Sequence, residues 1–435
     1  MQLFGREPTF RKRNPRSNPY RILVWIILVV LGLVIVRSLN TGEIQPLFLP
    51  TPTPTRTANS YSQEGESHFM AGDLDKAIAA YQSATAAEPD NAQLWAELAR
   101  IQTYSSNLLT TDTEKRERLQ SALNNINRAK ELAPEDSTVR GISAFVLDWN
   151  ATLAGSGAGA ILTQAEQEAV YAIQLDPANT LALAYFAEVL VDQQKWLQAQ
   201  QYASRAAEQN PNLMDVRRIN AYVLESLGDY NAAITEYQAA VSINPNLTFL
   251  YISIGKIYRH LELYDQALEY FDKAANINEQ IGVKDPIPYL AISNTYVQQG
   301  QFFSASRNAL KALQINPSSP EIYAQLGLVY YKGRNYEGSI PAFECGILGC
   351  SAEQSCEVRE CDPTVDPVVV VEGMPLSDNT VVYYFTYGSV LAGLHKEGDD
   401  YCVKAMGILN LVKAGFSGDP TIMGIVNAGE DICSE

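Results

Sequence analysis

The chain has 435 residues, 46% of them hydrophobic and 19% charged, enough apolar material for a large core held as several domains or as one elongated array. Its net charge of −17 is unevenly placed: Arg6, Arg11, Lys12, Arg13, Arg16 and Arg21 face only Glu7 in residues 1–21. The rest holds 26 basic and 48 acidic residues, net −22, which argues against nucleic-acid binding by the main body.

Between Arg21 and Arg37 every residue from Ile22 to Val36 is uncharged and almost wholly apolar. The run is short for a hydrocarbon core of ~30 Å, but Tyr20 and Trp25, with snorkelling Arg21 and Arg37, extend its usable length. A cleaved signal peptide is the competing reading, yet no small-x-small site follows in Val36-Arg37-Ser38-Leu39-Asn40. The expectation is an uncleaved signal anchor over 22–39. The basic flank then puts residues 1–21 in the cytoplasm as a tail and everything after Leu39 outside it, at the cell surface or in the periplasm. Residues 40–57 contain Leu49-Pro50-Thr51-Pro52-Thr53-Pro54-Thr55, in which alternating Pro and Thr predict an extended, semi-rigid spacer.

From residue 58 a four-point signature recurs: Ala, a position four on, Ala three later, Pro five later. It reads Ala77-Tyr81-Ala84-Pro89, Ala122-Ile126-Ala129-Pro134, Ala165-Ala169-Ala172-Pro177, Ala199-Ala203-Ala206-Pro211, Ala233-Tyr237-Ala240-Pro245 and Ala305-Ala309-Ala312-Pro317. Ala267-Phe271-Ala274 is a copy without the proline. The 4-3 spacing keeps three residues on one helical face, small enough for a second helix to approach, and the proline ends the helix. Prolines 177, 211 and 245 are 34 residues apart, the bare unit. Gaps of 45 before Pro134 and 43 before Pro177 place insertions at Tyr104–Glu114 and Ala154–Ala160, expected as loops from one face.

The signature extends backwards. Tyr251, Ile254, Gly255 and Tyr258 precede Tyr264 and Ala267; Tyr323, Leu326, Gly327 and Tyr330 precede Tyr336 and Phe343; Trp95 and Leu98 open the second copy. In register, this resembles the tetratricopeptide repeat (TPR) over residues 58–350. The resemblance implies an all-α, right-handed superhelix of about eight or nine helix-turn-helix units. Some copies depart from it: Arg217 replaces the first-helix aromatic, His68 the tyrosine, and Ser339 and Gly346 the second-helix alanines of the eighth copy. Residues 351–378 break the pattern as a Cys-containing loop, with Val368–Val371 a short strand or extended segment. Residues 379–435 read as a degenerate repeat with a C-terminal capping helix.

By the same resemblance, first-helix positions 2, 5, 9, 12 and 13 line a groove. They include Glu188 (with Tyr185 at position 6), Arg218, Tyr222, Lys256, Arg259, His260, Asn294, Gln298, Tyr331 and Lys332. Some members of the family grip a peptide's C-terminal carboxylate with Lys, Asn and Arg from adjacent first helices. That implies a protein or acidic peptide partner for the cluster Arg218, Lys256, Arg259 and His260, although Ile252 and Leu290 break the full clamp pattern. An ordinary solvated face is the alternative.

All six cysteines (Cys345, Cys350, Cys356, Cys361, Cys402, Cys433) follow residue 344, an even cluster beyond an export signal. Disulfides in an oxidising compartment are expected, with one or two bridges inside 345–361 and a Cys402–Cys433 bridge; a metal site and free thiols are the alternatives. His68, His260 and His395 lie far apart and in no nucleophile or metal motif. No catalysis, cofactor, metal or small-molecule substrate is expected. Function reads as a membrane-anchored adaptor in the cell envelope, against a structural assembly subunit or a chaperone-like helper at a secretion site.

Overall fold

The computed structural model of the protein describes residues 18–40 and 56–434, which divide into two units, Met1–Arg56 and Thr57–Glu435. Arg6 to Arg16 of the basic tail and the Pro/Thr run of the spacer lie outside the described residues.

In the first unit, helix α1 runs from Pro19 to Asn40. Asn18 Oδ1 accepts from the Tyr20 amide at 3.1 Å, and proline suits the first turn because its missing N–H would have no partner there. The helix thus begins three residues before the apolar run. Pro19–Ser38 gives 20 residues of mean hydropathy 2.5 with exposed side chains, about 30 Å long and sufficient to cross a bilayer.

In the second unit, helices pair as successive hairpins: α2 (Ala58–Met70) with α3 (Leu74–Ala87), α4 (Ala92–Ser105) with α5 (Asp112–Leu132), and α6 (Ser137–Ala151) with α7 (Ala158–Leu175). Then come α8 (Thr180–Asp192) with α9 (Trp196–Gln209), α10 (Met214–Ser226) with α11 (Tyr230–Ile243), and α12 (Thr248–His260) with α13 (Tyr264–Ile281). The last two are α14 (Ile287–Gln298) with α15 (Phe302–Ile315) and α16 (Pro320–Lys332) with α17 (Tyr336–Ile347). We number these repeats one to eight. The signature alanines of the second helices are buried without residual exposure, or nearly so, at every repeat that carries them. In repeats one, six and eight glycine fixes the depth of the hairpin: a Cβ on Gly65 would fall 2.5 Å from the Tyr81 ring, and one on Gly327 2.8 Å from the Phe343 ring. Gly255 stands equally close against Phe271.

The prolines sit in the turns between repeats, where a second bond recurs. At five of the six signature prolines the side chain six residues on donates to the proline carbonyl, Leu183 after Pro177 being the exception: Trp95 to Pro89 at 2.9 Å, Tyr251 to Pro245 at 2.9 Å and Tyr323 to Pro317 at 3.0 Å. Arg140 and Arg217 do the same through Nε, to Pro134 at 2.8 Å and Pro211 at 2.7 Å. Arg217 is therefore no weak point. The position selects a long donor, and guanidinium serves as well as phenol or indole.

The two insertions do not bulge as expected. Tyr104 and Ser105 stay in α4 and are buried, a 3-10 turn follows at Ser106–Leu108, and the extra length goes into α5, with 21 residues against 14 in α3. The Gly-rich insertion behaves similarly: a 3-10 turn at Gly155–Gly157 leads into an 18-residue α7.

After α17, strand β1 (Gly349–Cys350) pairs antiparallel with β2 (Val371–Glu372), enclosing the short helix α18 (Ala352–Val358). Helices α19 (Val381–Leu394) and α20 (Tyr401–Phe416) form a ninth hairpin, covered by α21 (Pro420–Ser434), whose Gly429 packs on Leu409. The cysteines pair as Cys345–Cys350, Cys356–Cys361 and Cys402–Cys433, with Cα separations of 4.7, 5.0 and 5.4 Å. The first two close short loops around β1 and α18; the third ties the start of α20 to the end of α21. No free cysteine occurs among the described residues.

Candidate functional site

Each hairpin has a turn inside the repeat and a junction to the next, so the ribbon of repeats has two edges. The ribbon winds back over itself. The inner turn of repeat one meets the junction of repeats five and six, where Asn246 Nδ2 donates to Met70 O at 3.3 Å and Gly72, at φ 82°, abuts Asn246. The inner turn of repeat two meets the junction of seven and eight through Thr110 Oγ1 and Ser319 Oγ at 2.7 Å, and Asp112 accepts from Asn379 Nδ2 at 2.8 Å. The concave channel is thereby enclosed, and its lining residues have three different fates.

Along repeats two to five the channel is crossed by a buried polar network, which leaves beside it a cavity of about 370 Å³ lined by Glu188, Asp192, Arg218 and Tyr222. Asp215 of α10 accepts from Arg100 Nη1 of α4 at 3.1 Å, from the Tyr185 hydroxyl at 2.6 Å and from the Tyr104 hydroxyl. Burial pushes this carboxyl up, but Arg100, the two hydroxyls and Arg218 outweigh it and hold Asp215 below the usual carboxylate range. Arg218 donates both terminal nitrogens to Glu188, at 2.7 and 2.6 Å, and is only 7% exposed. Tyr104 stacks on Phe249 with ring centroids 5.3 Å apart. Arg218 is thus unavailable to a partner, a correction to its place in an open groove: the overlap of the ribbon buries it, and a buried guanidinium needs a carboxylate. Tyr222 is likewise engaged, donating to Asp192 at 2.6 Å. Beside them Asp148 is fully buried, and its Oδ1 has no partner. Burial, then the Asp192 and Glu188 charges, push Asp148 well up; burial chiefly raises Asp192 to about 6.

Along repeats six to eight the channel stays open as a cavity of about 440 Å³. Lys256, Arg259 and Asn294 line it together with Lys115 and Arg116 of α5, and the segment Met374–Thr380 closes one side.

His260, Gln298 and Lys332 have a third position. Each is the last residue of its first helix, at the inner-turn edge, and each is exposed outside the cavity. Tyr230 reaches the next repeat along this edge, its hydroxyl 2.9 Å from His260 Nε2, and Phe302 packs on Gly333. In repeats four to eight no later segment among the described residues covers the edge. It carries Trp196, Leu197, Leu263, Phe303, Tyr331 and Tyr336, all exposed, Leu197 by 73% and Phe303 by 77%.

The sequence reading missed Arg100, Tyr104, Asp215, Lys115 and this apolar edge. One signal was available: Arg100 and Asp215 are single charges inside otherwise apolar helix faces, Ala99-Arg100-Ile101 and Met214-Asp215-Val216.

Models of the tetratricopeptide repeat match residues 59–101, 186–247 and 250–281, and one of the TPR repeat matches 294–333. Among curated proteins, the chain is 25% identical over 138 residues to the general transcriptional corepressor trfA of Dictyostelium discoideum, 31% of this chain and 10% of that protein. It is 25% identical over 121 residues to the BBSome complex member BBS4 of Bos taurus, 28% of this chain and 22% of that one. Tetratricopeptide repeat protein 6 of Homo sapiens is 29% identical over 109 residues, 25% of this chain and 21% of that one. The chain therefore spans less than a quarter of each relative. Among solved structures, a thermophilic TPR protein of Thermus thermophilus covers 46% of this chain and 98% of its own at 16% identity, with a TM-score of 0.38. MamA covers 37% and 92% at 18% identity, with a TM-score of 0.32. With helical hairpins, buried alanines, glycine–aromatic contacts and proline turns recurring in one register, the chain belongs to the tetratricopeptide-repeat family.

Proposed function

We propose that the protein is a membrane-anchored scaffold whose repeats hold a protein partner outside the cytoplasm. Tetratricopeptide repeats typically mediate protein–protein interaction, on a scaffold that is generally non-catalytic. The anchor is α1, long and apolar enough to span a bilayer, and the extracytoplasmic location is supported by three disulfides. The docking surface is the inner-turn edge of repeats four to eight, with His260, Gln298 and Lys332 as its polar contacts. The observation that carries this is the clustering of exposed Trp196, Leu197, Leu263, Phe303, Tyr331 and Tyr336 along that edge, where a soluble monomer gains nothing from presenting them. Because the hairpins are already ordered, association fixes few backbone groups.

The test replaces Leu197 and Phe303 by Glu in the full-length protein and places photo-crosslinkers at His260 and Lys332. A discrete partner crosslinked in native membranes and lost in the Glu variants, with unchanged helical content, supports the reading. The same partners bound by both proteins would sink it. Labelling by a membrane-impermeant reagent on the extracytoplasmic side checks the topology.

A further inference from the structure

The enclosed cavity of repeats six to eight has a chemistry that the docking edge does not share. Four cations line it: Lys115 and Arg116 from repeat two, Lys256 and Arg259 from repeat six. Among the described residues the side chains of Lys115, Arg116 and Lys256 have no ion-pair or hydrogen-bond partner, and Arg259 has a 3.4 Å contact to the Ala291 carbonyl and lies over the Phe271 ring, 5.7 Å from its centroid, with no carboxylate. Both lining carboxyls are engaged: Asp112 accepts from Asn379, and Glu321 accepts from the Tyr383 hydroxyl at 2.7 Å and from Gln325 at 3.2 Å. Burial is also the largest influence on Glu321 and favours its neutral form. Apolar side chains lie between the cations in the lining: Ile252, one turn before Lys256 on α12, with Leu290, Ala291 and Met374.

We propose that this cavity binds a small organic anion, a carboxylate or phosphate carried on a short apolar body. Its volume is that of a small-molecule site, and its lining offers both cations for the head group and apolar side chains for the body of such a ligand. Lys256 reaches water inside the cavity, yet burial first, then the charge of Arg259 with a smaller push from Lys115, outweigh the opposing charge of Glu225 and hold its ammonium below the ordinary lysine range; burial lowers Arg259 as well. An anion placed among them restores the charged forms and gains charge-assisted hydrogen bonds. In a chain of net charge −17, such a concentration of unpaired cations on a half-apolar wall has no structural use of its own. The ribbon overlap that encloses the cavity also limits the ligand's size, because Thr110–Ser319 and Asp112–Asn379 tie the mouth across repeats two, eight and nine.

Titration calorimetry of the full-length protein in nanodiscs, with 3-phenylpropionate and separately with phenyl phosphate, tests this. Saturable binding of at least one is expected, and the tighter arm identifies the head group. The double variant Lys256→Gln, Arg259→Gln should bind at least about tenfold more weakly, the loss of one or two charge-assisted bonds. Asn294→Trp, which fills the space from an exposed position and keeps the cations, should abolish binding. Lys273→Gln, on the outer helix α13, should change nothing. The proposal is overturned if neither anion binds, if the uncharged 3-phenylpropanol binds as well, or if the double variant is unaffected. It also falls if only a peptide ending in a free carboxylate binds, which would assign the cavity to a protein partner. Loss of the docking-edge partner in the Leu197 and Phe303 variants is independent of all these results.

Discussion

Where repeats two to five line the channel, Arg100, Asp215, Arg218 and Glu188 are bonded to one another with Tyr104 and Tyr185; where repeats six to eight line it, Lys115, Lys256 and Arg259 face open space with no carboxylate in hydrogen-bond contact. Position nine of the first helix supplies a charge in both halves, Arg100 and Glu188 in one and Lys256 in the other, while Lys115 comes from the second helix α5. The difference comes from winding. Repeats one and two pass across the first half and narrow it, so its charges are paired or, like Asp148, pushed towards the neutral form. They pass beside the second half and leave a cavity, so its cations keep water. The periodic position of a residue therefore says which way it points, while its solvation depends on which distant repeat the ribbon brings opposite.

The largest test of this contrast is Asp215→Ala, which leaves Arg100, Tyr104 and Tyr185 buried without their shared acceptor. It should cost about 3–5 kcal/mol, as removing one partner of a buried pair does. Lys256→Ala, a channel-lining charge of the open half, should change stability by no more than about 0.5 kcal/mol. Denaturant melts of both variants, with hydrogen exchange to assign the loss to repeats two to five, make the comparison. Equal effects would break it.

The pH dependence sharpens the same contrast. Asp148 and Asp192 are raised in the folded state, Asp192 to about 6, chiefly by burial and with Glu188 adding to the effect; Tyr222 and Arg218 oppose it at Asp192. A carboxyl raised above its unfolded value stabilises the fold while protonated and loses that contribution as pH rises through the folded value. Stability of the first half should fall between about pH 4 and pH 6 and further above it as Asp148 ionises, by at most about 3 kcal/mol for the Asp192 step. Asp148→Asn removes a buried charge and should flatten the profile of midpoint against pH. An unchanged profile would place the titration elsewhere, Asp285 at about 7 being the next candidate.

Gly255→Ala tests the packing inside a hairpin of the open half, away from the channel charges. Its Cβ would run into the Phe271 ring, and overpacking of this kind costs about 1–3 kcal/mol. Gly327→Ala against Phe343 should behave alike, measured by thermal unfolding.

The hairpins, their register and the glycines among their aromatics were legible because local spacing determines them. Ala77 and Ala84 need only their own helix and its neighbour to be buried. Arg218 was misplaced because its neighbour in space, Tyr104, lies 114 residues away, and no periodicity within one repeat encodes that meeting. Lys256 and Arg259 were found as cations, but the second wall of their cavity comes from α5, whose added length read as a loop. Leu197 and Phe303 look like ordinary second-helix residues until the free edge of the last winding becomes visible.

The smallest expected effect concerns the proline carbonyls, and it bounds how far the contrast between the halves extends. Arg217 bonds to Pro211 in the first half, and Tyr251 bonds to Pro245 in the open half, at 2.7 and 2.9 Å. Both bonds lie at the junction edge, away from the channel. Tyr251→Phe keeps the ring and removes only the donor, so it should cost about 0.5–1.5 kcal/mol. Arg217→Met, which keeps most of the stem, should cost a similar amount plus a small contribution from its ion pair with Glu236. If the two losses agree in urea melts, the junctions are interchangeable and the halves differ only inside the channel. A much larger loss at Arg217 would show that the buried network also props the junction behind it, and the two halves would then differ as whole modules.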